Sequence, residues 1–226
     1  MLKHLVSLKN PKSRSAEAFR TLRTNIQFSS LDNELKSIVV TSSGSGEGKS
    51  TILSNLAITM AESGKRVIIV DCDLRKPSIH KKMGVTNSVG LTNVLVQNML
   101  KEDCIVESPV KNLYILTSGP VPPNPAELLG TKKMRDFIEE LKNEFDVILI
   151  DAPPVLAVTD AQILSTIADG VIFVASYGEA QKNALVDAKQ LIDKVGGKII
   201  GIVFNKVPEE VSGYGKYYKG YYDKEN

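Results

Sequence analysis

The sequence predicts an α/β fold built on a doubly wound, mostly parallel sheet, and three observations carry that expectation. Short β-branched runs of strand length recur along the 226 residues: Ser37 to Thr41, Val67 to Val70, Val147 to Ile150 and Gly170 to Ala175. Helical patterns separate them, and strands that alternate with helices mark a parallel sheet. The runs are continuously apolar, as in strands covered on both faces. The length fits one large α/β domain with a sizeable core. We expect residues 1–208 to form that domain, with 1–30 as a helical N-terminal region and 209–226 as a separate flexible segment.

Composition narrows the partners. The net charge of +2 is close to neutral, so nothing calls for a nucleic-acid partner. The first 25 residues hold Lys3, Lys9, Lys12, Arg14, Arg20 and Arg23 against Glu17 alone. Such a start suits anionic lipid or an acidic partner, and equally a solvated end. Cys72 and Cys104 give neither a disulfide framework nor a metal cluster, which fits a reducing cytoplasm. The apolar runs fall far below the ~18 residues of a spanning helix, and no signal peptide is present. Membrane association is therefore expected only through a partner.

In chain order, Ser15 reads as the N-cap of a helix running to about Phe28, with Glu17 in its first turn. Phe19, Leu22 and Ile26 share one face. Glu17 and Arg20 lie largely opposite with Arg23 at the border, the spacing of a salt-bridged solvent face. The strand Ser37 to Thr41 then leads into Ser43-Gly44-Ser45-Gly46-Glu47-Gly48-Lys49-Ser50-Thr51, and a helical pattern from Ile52 to Glu62 leads out. Strand, glycine-rich turn and helix start is the context of a phosphate-binding P-loop. The glycines let backbone N–H groups curl toward phosphate oxygens, and the helix N-terminus adds partial positive charge. Lys49 would reach the β- and γ-phosphates and Ser50 a Mg²⁺ ion. Gly44 to Thr51 are thus candidates for holding ATP. The first glycine of G-x-x-x-x-G-K-[ST] is replaced by Ser43.

Gly64 reads as the residue just past that helix, and Val67 to Val70 as a central strand. The strand ends in Asp71-Cys72-Asp73-Leu74-Arg75. Ligands of open parallel sheets bind beyond the carboxyl ends of strands, so Asp71 and Asp73 should face the P-loop. Paired carboxylates there suit Mg²⁺ coordination and proton abstraction. A short helix at Gly90 to Leu95 and a strand at Asn112 to Thr117 follow. Four prolines in 120–125 fix a stiff connection, and a helix continues to about Asn143. Val147 to Ile150 closes in Asp151, the Walker B arrangement, which puts a carboxylate beside Mg²⁺. The last third reads as helix (Asp160 to Ala168), strand (Gly170 to Ala175), helix (Gln181 to Val195) and strand (Lys198 to Phe204). Asn205 ends that strand, either reading a base edge with its amide or serving as a turn residue.

Five of the seven tyrosines lie in the last thirteen residues: Tyr214, Tyr217, Tyr218, Tyr221 and Tyr222, among glycines and lysines. No apolar period exists there to build a packed element, so a mobile segment is expected. Sixteen residues beyond Glu210 extend up to ~50 Å, enough to reach the P-loop of the same or a neighbouring molecule. The composition also fits a sticky or nucleic-acid-binding low-complexity tail.

Together these motifs resemble the bacterial protein-tyrosine kinases of capsule and exopolysaccharide systems, in their stand-alone Gram-positive form. Gly46-Glu47-Gly48-Lys49-Ser50, Val70 to Arg75 and Ile150-Asp151-Ala152-Pro153 look like the family's Walker A, A′ and B motifs, and Pro122 to Leu129 like its Pro-Pro-Asn-Pro-x-Glu-Leu-Leu segment. Ser45 stands where that family usually has proline. Glu17-x-x-Arg20-x-x-Arg23 is similar to its ring-forming motif, which implies that this helix is a subunit interface. The resemblance implies a P-loop NTPase fold of the partitioning-ATPase-like branch. It further implies phosphorylation of the tail tyrosines between subunits of a ring, an octamer, with Lys49, Asp71, Asp73 and Asp151 catalytic. Ser50, Asp71 and Asp151 would hold Mg²⁺; Asp73 or Asp71 would be the base, with Asp73 favoured because it lies further from the metal end of the strand. A transmembrane activator, a cognate phosphotyrosine phosphatase and substrates such as sugar-nucleotide enzymes are the implied partners, at the inner face of the membrane. Two rivals share the motifs: partitioning and septum-site ATPases, and a structural co-polymerase subunit whose ring assembly ATP controls. The ATPases carry a lysine early in the loop; Ser42-Ser43-Gly44-Ser45 has none.

Overall fold

A computed structural model describes residues 5–29, 35–208 and 211. The tail tyrosines Tyr214, Tyr217, Tyr218, Tyr221 and Tyr222 lie outside the described residues. In chain order the elements are α1 (Val6–Lys9), α2 (Arg14–Phe28), β1 (Ser37–Ser42), α3 (Lys49–Glu62), β2 (Val67–Asp71), α4 (Ile79–Met83), α5 (Leu91–Gln97) and α6 (Lys101–Cys104). Then come β3 (Ile105–Glu107), β4 (Leu113–Leu116), α7 (Pro125–Leu129), α8 (Lys132–Glu144), β5 (Val147–Asp151), α9 (Asp160–Ser165), β6 (Gly170–Ser176), α10 (Lys182–Lys194) and β7 (Ile199–Asn205).

The strands form one sheet in the order β3-β4-β2-β5-β1-β6-β7, parallel except for β3 at one edge. Alternate residues of each central strand feed two cores. Ile68, Val70, Ile148 and Ile150 face a cluster completed by α5, α8, α9 and α10. Val67, Ile69, Val147 and Leu149 face another completed by α2, α3 and α4. Helices on both faces explain the continuous apolar runs, and the doubly wound expectation holds. The β2–β5 register pairs Asp71 with Asp151, which brings two strand-end carboxylates level beside the loop that leaves β1.

Several boundaries differ from the sequence reading. The α2 N-cap is Ser13, not Ser15: its hydroxyl accepts the Ala16 N–H at 3.2 Å, leaving Ser15 exposed in the first turn. The helix expected up to Asn143 is two, because the chain stops at Gly130 and restarts at Thr131, whose side chain accepts from Met134 N–H. The helix expected to Ala168 ends at Ser165. Gly64 does follow α3, with φ +92°.

Candidate nucleotide site

The P-loop joins β1 to α3 at the carboxyl edge of the sheet, and the side chains around it are already ordered by one another. Gly46 and Gly48 adopt φ of +81° and +96°, which β-carbon-bearing residues rarely do. A Cβ on Gly48 would lie 2.1 Å from Asn205 Nδ2, so the last glycine of the motif is required twice over. Ser45 and Gly46 form the exposed crown of the loop, while Ser43 is buried at its base.

Lys49 Nζ lies among carboxylates, 3.0 Å from Asp73 Oδ2 and 3.5 Å from Asp151 Oδ1. Burial works against its charge, but Asp151 and then Asp73 outweigh that, and its pKa sits above 10.5. Ser50 Oγ donates to Asp151 Oδ2 at 2.6 Å. Asp73 Oδ1 accepts the Lys76 N–H at 3.0 Å, which fixes the turn after β2. Asp71 is fully buried; its Oδ2 accepts Ser78 and Ile79 N–H groups, and its Oδ1 accepts that of Asp73 at 3.3 Å. Burial first, then the charge of Asp151, push the Asp71 carboxyl up to about 8. Asp151 is also raised, chiefly by burial, against the opposing pull of Lys49 and Ser50. Cys72 between the aspartates is a buried thiol pushed well above its usual range by burial.

The structure therefore brings Lys49, Ser50, Asp71, Asp73 and Asp151 together, as the motifs imply. Among the described residues no three carboxylate, histidine or cysteine side chains form a protein-only metal cage. Mg²⁺ keeps waters and phosphate oxygens and takes only one or two carboxylates. The donor set of a hydroxyl and hard carboxylate oxygens, with an ammonium already seated among them, suits a divalent cation.

With the geometry in place, three comparisons converge. A family model described as an AAA domain matches residues 35–199. The tyrosine-protein kinase YwqD of Bacillus subtilis is 43% identical over 218 residues, 96% of this chain and 92% of that protein. The chain belongs to the bacterial tyrosine-kinase family of capsule and exopolysaccharide systems. The solved chimerical protein CapA2B2 superposes with TM-score 0.87 at 38% identity, covering 90% of each chain. The septum site-determining protein MinD of Pyrococcus horikoshii, complexed with Mg-ADP, is more distant: TM-score 0.66, 28% identity, 76% of this chain and 70% of that one. The switch ATPases thus share the fold, while the tyrosine kinases match the whole chain.

Within this kinase fold, Asn205 and the α2 motif residues make contacts inside the chain, the Glu17–Arg20 pair as its spacing predicts. Asn205 donates from Nδ2 to the carbonyl of Glu47 at 2.9 Å, so its amide straps the P-loop. Glu17 and Arg20 pair with each other at 2.7 Å, and Arg20 also donates to the Pro11 carbonyl at 2.6 Å. Arg23 instead reaches across to α3 and donates to the Thr59 carbonyl at 2.9 Å. Arg23 thus ties the motif helix to the P-loop helix within one chain.

One site residue escaped the sequence reading. Asp160 is fully buried in α9 and holds Arg75 through two hydrogen bonds, 2.9 Å to Nε and 3.0 Å to Nη2. That pair fixes the chain just past Asp73. An aspartate at a helix start looks like ordinary capping in sequence, so only the fold, which joins two residues 85 apart in the chain, reveals it.

Proposed function

We propose that this chain is an ATP- and Mg²⁺-dependent kinase that phosphorylates its own tail tyrosines, Tyr214, Tyr217, Tyr218, Tyr221 and Tyr222, between subunits of a ring. The observation that carries the reading is the convergence of Lys49, Ser50, Asp71, Asp73 and Asp151 at one sheet edge. The main-chain N–H groups of Gly46 to Ser50 and the α3 N-terminus would bind the β-phosphate, with Lys49 leaving its carboxylates to neutralise the γ-phosphate. Ser50, Asp71 and Asp151 would hold Mg²⁺, which supplies charge neutralisation on the transferring phosphoryl group.

Asp73 is the base in this account. A tyrosine hydroxyl titrates near ~10, so a carboxylate within hydrogen-bond reach assists proton removal at neutral pH. Asp71 already accepts three backbone N–H groups, whereas Asp73 keeps one oxygen on the Lys49 ammonium. Once Lys49 turns to phosphate, that oxygen is released for the acceptor hydroxyl. The end of β7 lies on the same sheet edge, with Asn205 against the P-loop.

The ring would use the α2 face bearing Glu17 and Arg20, with Arg23 acting through its hold on α3. No helix among the described residues is long and apolar enough to cross a membrane. Attachment to the inner face of the membrane would come from a transmembrane activator, and a phosphatase would reset the tail. Polysaccharide machinery and sugar-nucleotide enzymes are the proposed targets. Intact-mass measurement after incubation with ATP and Mg²⁺ tests the core of this. We expect a ladder of added phosphates in the wild-type chain and none when the five tail tyrosines are phenylalanine. A ladder that survives those substitutions would place the acceptors elsewhere.

A further inference from the structure

Glu47 is a charged residue in a loop that attracts phosphate, yet only 6% of it is exposed. Burying a carboxylate is costly unless its oxygens are hydrogen-bonded, and here they are. Oε1 accepts the Ser43 hydroxyl and the Gly44 N–H, both at 2.6 Å. Oε2 accepts the Ser176 N–H at the end of β6, at 3.3 Å. The main-chain carbonyl of the same residue takes the Asn205 amide from β7. Ser176 is held in turn, donating its hydroxyl to Glu179, which pairs with Lys206 at 2.7 Å.

We propose that Glu47 is a positioning residue that clasps the P-loop shut from behind. Its carboxylate joins the first residues of the loop, Ser43 and Gly44, to the fifth and fastens both to β6. The inference rests on reading the loop as the nucleotide site and deepens that reading. Gly44, Gly46 and Gly48 stand within five residues, and glycine loses more backbone freedom on ordering than any other residue. A loop left free would charge that loss against each binding event; one fixed in advance does not. Ser43, which breaks the P-loop pattern, thereby gains a role, because its hydroxyl supplies a clasp donor that glycine lacks. The Gly44 N–H is also accounted for: it is directed at the Glu47 carboxylate, and the phosphate-facing amides are those further along the loop. Since the clasp touches no reacting atom, its loss would weaken ground state and transition state alike, raising KM and leaving kcat.

Calorimetric titration of the full-length protein with ADP in EDTA, beside steady-state kinetics with ATP and Mg²⁺, tests this. Glu47→Gln keeps one acceptor for Ser43 and Gly44 but sets an amide donor against the Ser176 N–H. We expect ADP to bind about tenfold more weakly, equivalent to ~1.4 kcal/mol. KM for ATP should rise similarly while kcat stays within about threefold. Ser43→Ala should give a smaller loss, and the double variant should be no weaker than Glu47→Gln, because both act through one clasp. Wild-type ADP affinity in both single variants overturns the inference, and so does a loss confined to kcat. If Glu47→Gln fails to fold, Ser43→Ala decides: weaker ADP binding at an unchanged unfolding temperature supports the clasp, and unchanged binding rejects it. A wild-type chain that does not bind ADP overturns the nucleotide-site reading and the clasp with it.

Discussion

Lys49 and the three aspartates show how a crowded carboxylate site balances its own charges. Lys49 holds Asp73 and Asp151, while Asp71 answers the crowding by taking up a proton, its pKa near 8 through burial and the neighbouring Asp151. An unfolded Asp71 would ionise near 3.8, so the native state binds more protons between about 4 and 8 and loses stability as pH rises through that window. Asp71→Asn keeps acceptance from Ser78 and Ile79 and carries no charge. We expect it to raise the unfolding temperature of the nucleotide-free protein at pH 8, with the gain shrinking toward pH 5, and to lower kinase activity at least ~100-fold. Asp73→Asn should lower kcat by ~10²–10⁴ with Mg·ATP affinity retained, since proton transfer alone is removed. Full activity in that variant would exclude Asp73 as base. The motif residues were legible because phosphate and Mg²⁺ chemistry restricts their types and spacing. The bonds of Glu47, Asn205 and Asp160 were not, since each depends on strands that meet only in the fold.

At the level of elements, periodicity found what was long and missed what was short. The Walker-motif strands and helix α3 stood out as apolar runs with clear ends. The short α4 and α6 complete too few turns for a period to emerge. The antiparallel β3, three half-exposed residues, resembles a loop until β4 is beside it. Ile199 to Phe204 of β7 is nearly all apolar, yet the strand lies at the sheet edge with Ile202 50% and Phe204 59% exposed. Junctions between elements carry specific stakes. Asp169 joins the start of β1 to α8, accepting from Ser37 N and Oγ, both at 2.8 Å, and from Lys142 at 2.9 Å. Burial alone would raise its pKa, but Lys142 and Ser37 outweigh that and lower it below 3.8. Its stabilisation is therefore present above about pH 4 and lost as pH falls through the lowered native value. Asp169→Ala should cost about 2 kcal/mol at pH 7, with the difference shrinking in chemical denaturation as pH falls through the lowered native value. At the P-loop, Gly48→Ala should abolish nucleotide binding, because the added methyl meets Asn205 and the left-handed backbone at once.

Across the whole molecule, the sheet gathers its functional groups at one edge: the P-loop after β1, the aspartates at the ends of β2 and β5, and Asn205 at the end of β7. Fold class and family could be read from the sequence because a doubly wound sheet repeats one pattern of buried strand and covering helix. Arg23 could not be placed that way, since a helix border is neither buried nor exposed until α3 is set against it. The central claim is that this edge transfers phosphate from ATP to the tail tyrosines. Phosphoamino-acid analysis after incubation with ATP labelled at the γ-phosphate tests it most directly. We predict labelled phosphotyrosine in the wild-type protein, lost both in Lys49→Met and when the five tail tyrosines become phenylalanine. Free phosphate without phosphotyrosine, or full labelling in Lys49→Met, would contradict it.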